Sequence, residues 1–168
     1  MSPELESVRR ATELAVGAAT LEALSRAPEG KWSSLQVLEH LVLSYTATTK
    51  GLQRQMVSGE PERSLPTMGH RMRRFYVLGL GRFPAGVEAP KQTKPTGNLG
   101  SDPMRQFKDA LVAMDASLFD SERRFGRRAR VLNHPVLGPL TAEQWRRFHQ
   151  VHSHHHLRQI ATLLAGRE

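Results

Sequence analysis

Apolar residues recur at intervals of three and four positions along four long segments of the 168-residue chain. The first segment runs from about Pro3 to Ser25 and ends before a Pro/Gly-containing stretch. The second runs from about Ser33 to Ser58, and its opening pair Ser33 and Gln36 has the spacing of a capping box. This spacing places apolar side chains on one face of a helix, so we predict two long amphipathic helices here.

Two further segments near the C-terminus show the same pattern. One opens at Asp102, which a proline follows, and it runs to about Phe125. An acidic N-cap before a proline is a typical helix start. The other opens at Thr141, with Gln144 at the capping-box position, and runs to about Ala165. We predict two more long helices, joined by a turn.

The connection from Gly59 to Ser101 differs from the four segments. Its stretch from about Thr67 to Leu80 has helical spacing and predicts a short helix. The remainder is rich in proline and glycine and predicts an extended crossover. Four long amphipathic helices with one long crossover are typical of a four-helix bundle. We therefore expect an all-α fold, with residues 1–168 forming a single domain.

The chain contains no cysteine, which narrows its chemistry. Metal ligands must then be histidine or carboxylate, and any thiol chemistry needs a thiol from outside the protein. No apolar run approaches the ~20 residues of a membrane helix. The N-terminal residues also lack the hydrophobic core of a secretory signal. We expect a cytoplasmic protein without a membrane partner.

The net charge is +8, which favours weak contact with polyanions. The arginines concentrate in residues 71–74 and 122–130. Nucleic-acid binding would require aromatic platforms or a known motif among these charges. Aromatic residues make up only 6% of the chain, and no such motif is present. We interpret the charge as a solvated basic face and do not favour a nucleic-acid partner.

Five of the eight histidines lie between His149 and His156, in the predicted last helix. In a helical projection, the apolar face that contains Trp145 also contains His149, His152, His156 and Gln159. His154 projects to the opposite, solvent-facing side. The i, i+4 pair His152 and His156 could reach one ion, because the Cβ atoms of such pairs lie about 5–6 Å apart. The same spacing is also compatible with His152 and His156 being buried in the core without a metal.

A third ligand has to come from another part of the chain. The candidates are a carboxylate or one of three histidines, His40, His70 and His134. His40 projects well away from the centre of the apolar stripe of its helix, although the surrounding residues are apolar on nearly all sides. His134 precedes a proline in the turn before the last helix, which favours a structural role.

Two segments resemble the DinB-like superfamily, a group of metal-binding four-helix bundles. WSSLQVLEHL, residues 32–41, is similar to the start of its second helix, and HSHHHLRQI, residues 152–160, is similar to its last-helix motif. The sequence leading into the last helix also resembles a subgroup of uncharacterised function. The resemblance implies a metal held by His40, His152 and His156. Many relatives have Arg-Gly where this chain has Leu157-Arg158, so no role is carried over for that arginine.

The resemblance also implies a function. The superfamily includes S-transferases and isomerases that use low-molecular-weight thiols, so we expect a metal-dependent thiol transferase or hydrolase with an external thiol as cosubstrate. Three histidines leave a position open on the ion, as in catalytic sites. Zinc and nickel suit imidazole ligands. Candidates for orienting the ligands or carrying protons are Tyr45, His149 and Gln159.

Two alternatives stay open at this point. One is a non-catalytic module, associated with stress, that binds a metal or a small ligand. The other, favoured by net charge alone, is a nucleic-acid-associated protein. A homodimer formed through an exposed helix face is a further expectation.

Overall fold

The computed structural model describes residues 1–83 and 88–166, and these residues are mostly helical. They form six α-helices and one two-stranded antiparallel sheet: α1 (Pro3–Val16), α2 (Leu21–Ser25), α3 (Ser34–Ser58), α4 (Met68–Arg74), α5 (Pro103–Phe125), β1 (Arg130–His134), β2 (Gly138–Thr141) and α6 (Ala142–Leu164). A π-helical turn, Phe75–Gly79, extends α4, and a 3-10 turn, Lys91–Thr93, follows in the crossover. The predicted extended crossover includes residues 84–87, which lie outside the described residues.

Capping boxes fix the starts of the two helices that carry the predicted ligands. At α3, the Ser33 N–H donates to Gln36 Oε1 at 2.9 Å, and the Gln36 N–H donates to Ser33 Oγ at 3.2 Å. The same reciprocal pair, at 3.1 and 3.2 Å, joins Thr141 and Gln144 at α6. These bonds satisfy N–H groups that the helix itself leaves unpaired. The predicted starts of both helices are confirmed.

The first predicted helix is broken in the structure. Helix α1 ends at Val16, and α2 begins only at Leu21. Gly17 disfavours continuation because glycine has low helix propensity. Thr20 then starts a new helix by accepting a hydrogen bond from the Ala23 N–H at 3.2 Å. The prediction of one helix from Pro3 to Ser25 is therefore wrong between these two points.

A β-ribbon occupies the segment that was predicted as a turn, which corrects the all-α prediction. Strands β1 and β2 pair antiparallel, with Leu132 opposite Leu140. The ribbon packs closely on α3, because a Cβ atom at Gly51 would lie 2.7 Å from Leu132 Cδ2. The Trp145 indole N–H also donates to the Leu132 carbonyl at 3.1 Å. The ribbon thus connects α3 to α6.

The long helices contact one another around an apolar core. Helix α3 packs against α5 and α6, α1 packs against α6 and α5, and α5 also contacts α6. Tyr45 and Phe107 are fully buried between α3 and α5, with ring centroids 5.6 Å apart. Burying one large apolar side chain stabilises a fold by about 1.5–3 kcal/mol. Among the described residues, no helix combines the length and apolar character needed to cross a membrane.

Candidate metal centre

Three histidines from α3 and α6 converge at one point. His40 Nε2 lies 3.2 Å from His152 Nε2, and His156 Nε2 lies 3.1 Å from the same atom. His40 and His152 are buried and His156 is partly buried. One ring nitrogen from each residue can be chosen so that all three lie within 4.8 Å of one another. The cluster could therefore hold a metal ion, and it is the set of residues that the resemblance implied.

The crossover orients His40. The His40 Nδ1–H donates to the Thr93 carbonyl at 2.8 Å. The neighbouring Glu39 holds the same loop: its carboxylate accepts from the Thr96 N–H and hydroxyl, both at 3.0 Å, and from the Gly97 N–H at 2.7 Å. His40 is buried because this loop covers it, even though it lies off the apolar stripe of α3. Neither Glu39 nor Thr93 was among the residues predicted for the site. The signal for Glu39 was a carboxylate within an apolar stretch of helix.

Gln159 orients His156 in the same way. The His156 Nδ1–H donates to Gln159 Oε1 at 3.0 Å. With both Nδ1 atoms protonated, His40 and His156 each present an unprotonated Nε2 to His152. A neutral His152 has one N–H, so its Nε2 can donate to at most one of these two acceptors. The three residues cannot satisfy one another by hydrogen bonds alone.

Protonation does not relieve this shortage of donors. Burial lowers the pKa of His152 well below its ordinary value, and the neighbouring His156 and His40 lower it further. Burial, followed by the charge of His40, lowers the pKa of His156 to about 4. Burial also lowers the pKa of His40, although its bond to Thr93 opposes the shift. Near neutral pH, all three imidazoles are uncharged and able to bind a cation.

The donor set fits a divalent transition metal. Imidazole nitrogen suits zinc, copper, iron and nickel. Metal-bound histidines usually donate their other ring N–H to a carbonyl or carboxylate, and His40 and His156 have such partners. His152 differs, because its Nδ1 is buried with no hydrogen-bond partner among the described residues.

Two buried hydrogen-bonded pairs of polar side chains lie beside the cluster. His149 Nε2 is 3.0 Å from Thr48 Oγ1, and the Tyr45 hydroxyl is 2.6 Å from Ser153 Oγ. The Tyr45 and His149 rings lie 5.3 Å apart. Burial lowers the pKa of His149 to about 3 and raises the pKa of Tyr45. Of the predicted accessory residues, only Gln159 hydrogen-bonds a histidine of the cluster, whereas Tyr45 and His149 bond hydroxyls.

The remaining histidines have other surroundings. His134 Nδ1 accepts from the Val136 and Leu137 N–H groups, both at 3.1 Å, which confirms its structural role in the turn. His70 caps α4 by accepting from the Thr67 N–H at 3.3 Å. His154 was predicted to face solvent, but it is only partly exposed, because α1 packs beside it and its Nε2 lies 3.5 Å from Ser7 Oγ.

The cluster opens into a large cavity of about 990 Å³. Its walls are mainly apolar and aromatic, and they include Trp32, Phe83, Leu137, Trp145, Phe148 and Leu163. The Phe148 ring stacks on the His152 ring at 5.4 Å, and the Trp32 ring lies 5.5 Å from the His40 ring. A volume of this size accommodates a typical small-molecule ligand. The histidines therefore face a space large enough for a small molecule.

A family described as "Protein of unknown function (DUF1569)" matches residues 7–162. The chain belongs to this family. The matched region runs from α1 to α6 and contains all three clustered histidines. The family description names no activity. Comparisons with curated proteins and with solved structures gave no match.

Proposed function

We propose that this chain is a DinB-like four-helix-bundle enzyme of the thiol-transferase or hydrolase type, with a divalent transition metal held by His40, His152 and His156. The mutual contacts of α1, α3, α5 and α6 support the bundle, and the long crossover after α3 supports the DinB-like arrangement. Zinc or nickel as the metal, the external thiol and a homodimer stay predictions.

The proposal rests on one observation, the convergence of three Nε2 atoms that have too few protons among them. Two of these nitrogens are unprotonated because Thr93 and Gln159 accept the Nδ1 protons. Without a cation, one of these acceptors has no donor within the cluster, and an acceptor left unsatisfied in a buried place costs about 1–3 kcal/mol. A cation bound by the three lone pairs would remove that cost and explain why two orienting groups are built around the site.

When bound, such a metal would lower the pKa of a water or thiol in the cavity, and so supply a nucleophile near neutral pH. The chain's own groups would do the rest. Thr93 and Gln159 keep the Nε2 lone pairs of His40 and His156 directed inward. The aromatic walls would limit the access of bulk water to the site. Burial keeps the His149 ring neutral, so His149 and Tyr45 stay predicted accessory residues without an assigned proton transfer.

The test is an activity screen on protein loaded with zinc or with nickel. The screen offers low-molecular-weight thiols with a panel of electrophiles, and separately a panel of esters and amides. We expect turnover with one class, and loss of that turnover in His152→Ala. Gln150→Ala, which changes a partly buried α6 residue away from the cluster, is the matched control and should keep activity.

Metal that saturates the site without any turnover would contradict the enzyme and leave a non-catalytic binding module. Turnover that persists in His152→Ala would contradict the assignment of the site. Both results are informative only if the variant remains folded, which circular dichroism and a cooperative thermal transition would establish.

A further inference from the structure

The cavity has a long floor made by one face of α3. Between His40 and Arg54, the α3 residues that line it are small: Ser44, Ala47, Thr48 and Gly51. The two ends are 14 positions apart, so Arg54 lies about 21 Å along the helix from His40, given a rise of ~1.5 Å per residue. Ser44 and Ala47 leave room above the helix, whereas the Leu132 side chain fills the room above Gly51. The space is therefore extended along α3 rather than confined to the histidines.

The charges around this space have one predominant sign. Three exposed cations line the cavity, Lys31, Arg54 and Lys94. Glu88 is the one carboxylate among the described lining residues, and it lies 3.4 Å from Lys94 Nζ. Neither Lys31 nor Arg54 forms an ion pair with a described residue. Their charges are available to a ligand, and an apolar cleft with cationic edges attracts anions.

We propose that the cavity binds an elongated, largely apolar organic anion. Of the three rim cations Lys31, Arg54 and Lys94, Arg54 holds its charge, at the end of the cavity away from the histidines. The apolar body lies along the small residues of α3, opposite the aromatic walls. The polar, reacting part of the molecule lies at the three histidines, and this last element rests on the proposed function. The proposal specifies a substrate class for the site, whereas the family description names none.

The protein carries its own reporter of binding. Its two tryptophans, Trp32 and Trp145, both line the cavity. The probe is dansyl-aminoundecanoic acid, an elongated apolar molecule with one carboxylate, and its methyl ester is the neutral match. Energy transfer from tryptophan to the dansyl group measures the binding of each. The titrations are made on metal-free protein and on zinc-loaded protein.

The decisive variant replaces all three rim cations, as Lys31→Gln, Arg54→Gln and Lys94→Gln. The matched control removes the same charge from exposed arginines outside the cavity, as Arg73→Gln, Arg123→Gln and Arg128→Gln. In wild type we expect the acid to bind about threefold more tightly than the ester, since one exposed ionic contact contributes roughly two- to threefold. The rim variant should lose this preference and the control should keep it.

Equal affinity for acid and ester in wild type would overturn the proposal, and so would absence of energy transfer with either probe. A preference that requires zinc and survives in the rim variant would place the carboxylate at the histidines and would also overturn it. Failure of zinc to bind, with the acid preference intact in metal-free protein, would defeat the proposed function while supporting the ligand class.

Discussion

Helices α3 and α6 build two buried histidine sites side by side, and the two sites differ in what the ring nitrogens face. In the cluster, the Nε2 atoms of His40, His152 and His156 face one another at 3.1 and 3.2 Å. In the neighbouring site, His149 Nε2 faces the Thr48 hydroxyl at 3.0 Å. His149 and His152 are both buried, and they are only three positions apart on α6.

The difference lies in the chemistry of the partner. A hydroxyl can donate or accept, so either tautomer of a neutral His149 is satisfied at Nε2. Three imidazoles that point at one another need protons that burial keeps away from them. Burial therefore does not by itself indicate a metal site, whereas convergent unprotonated nitrogens do. Substitutions at the two sites should therefore have different effects.

The largest expected effect is on metal affinity. Each of the variants His40→Ala, His152→Ala and His156→Ala should weaken zinc binding by more than about a hundredfold, because loss of an orienting group alone typically costs 10–100-fold. His149→Gln should keep the wild-type affinity within a few fold. Competition with a chromophoric chelator measures all four. Comparable losses in His149→Gln and the cluster variants would remove the distinction between the sites.

The next effect is on stability in acid and belongs to His149. Its folded pKa of about 3 lies below the ordinary histidine value of ~6.5. As the pH falls, the unfolded chain therefore binds the proton before the folded chain does. The stability contributed by the neutral His149 ring is complete above about pH 6.5 and is lost as the pH falls towards 3. This group removes about 3 kcal/mol of unfolding free energy between pH 6.5 and 4. Urea titrations of metal-free protein should show a shallower pH dependence in His149→Gln, and an unchanged dependence would contradict the buried neutral ring.

A smaller effect is expected at Gln159, which orients His156. Gln159→Leu removes the oxygen that accepts the His156 Nδ1 proton. Zinc affinity should fall by about 10–100-fold, less than for loss of a ligand. Gln159→Glu keeps an acceptor at this position and should restore most of the affinity. Equal affinities in the Leu and Glu variants would show that the oxygen does not orient the ring.

The smallest effect is expected at Glu39, which acts on His40 only through the loop. Glu39→Gln leaves one oxygen to accept from Thr96 and Gly97, so the Thr93 carbonyl should hold His40 less firmly. We expect zinc affinity to fall by up to about tenfold, at the low end of the range for orienting groups. Amide hydrogen exchange at Thr96 and Gly97 should accelerate in parallel. Faster exchange without any change in zinc affinity would show that the loop does not affect metal binding.

The sequence predicted those parts of the site that depend on local spacing. His152 and His156 follow from an i, i+4 pair on an apolar face, and Ser33 and Thr141 follow from capping boxes. His40 followed only from resemblance, because it is buried by a loop far away in sequence. No periodicity in α3 contains that information. The family model matches residues 7–162, from α1 to α6, but its description names no chemistry.

The parts that the sequence did not predict depend on tertiary contacts. The β-ribbon forms because Leu132 packs on Gly51 and its carbonyl accepts from Trp145, and neither contact is visible in the local pattern. The break after Val16 reflects a balance between glycine propensity and a new cap at Thr20. Thr93 acts through its backbone carbonyl, so its side-chain identity gives no signal.

Elemental analysis of untagged protein tests the central claim most directly. We predict close to one equivalent of a divalent transition metal in wild type and in His149→Gln, and almost none in a His152→Ala, His156→Ala double variant. The same stoichiometry should return to wild type after chelation and incubation with zinc or nickel. Absence of bound metal in wild type even after that incubation would contradict the account. The three clustered histidines would then be core residues like His149.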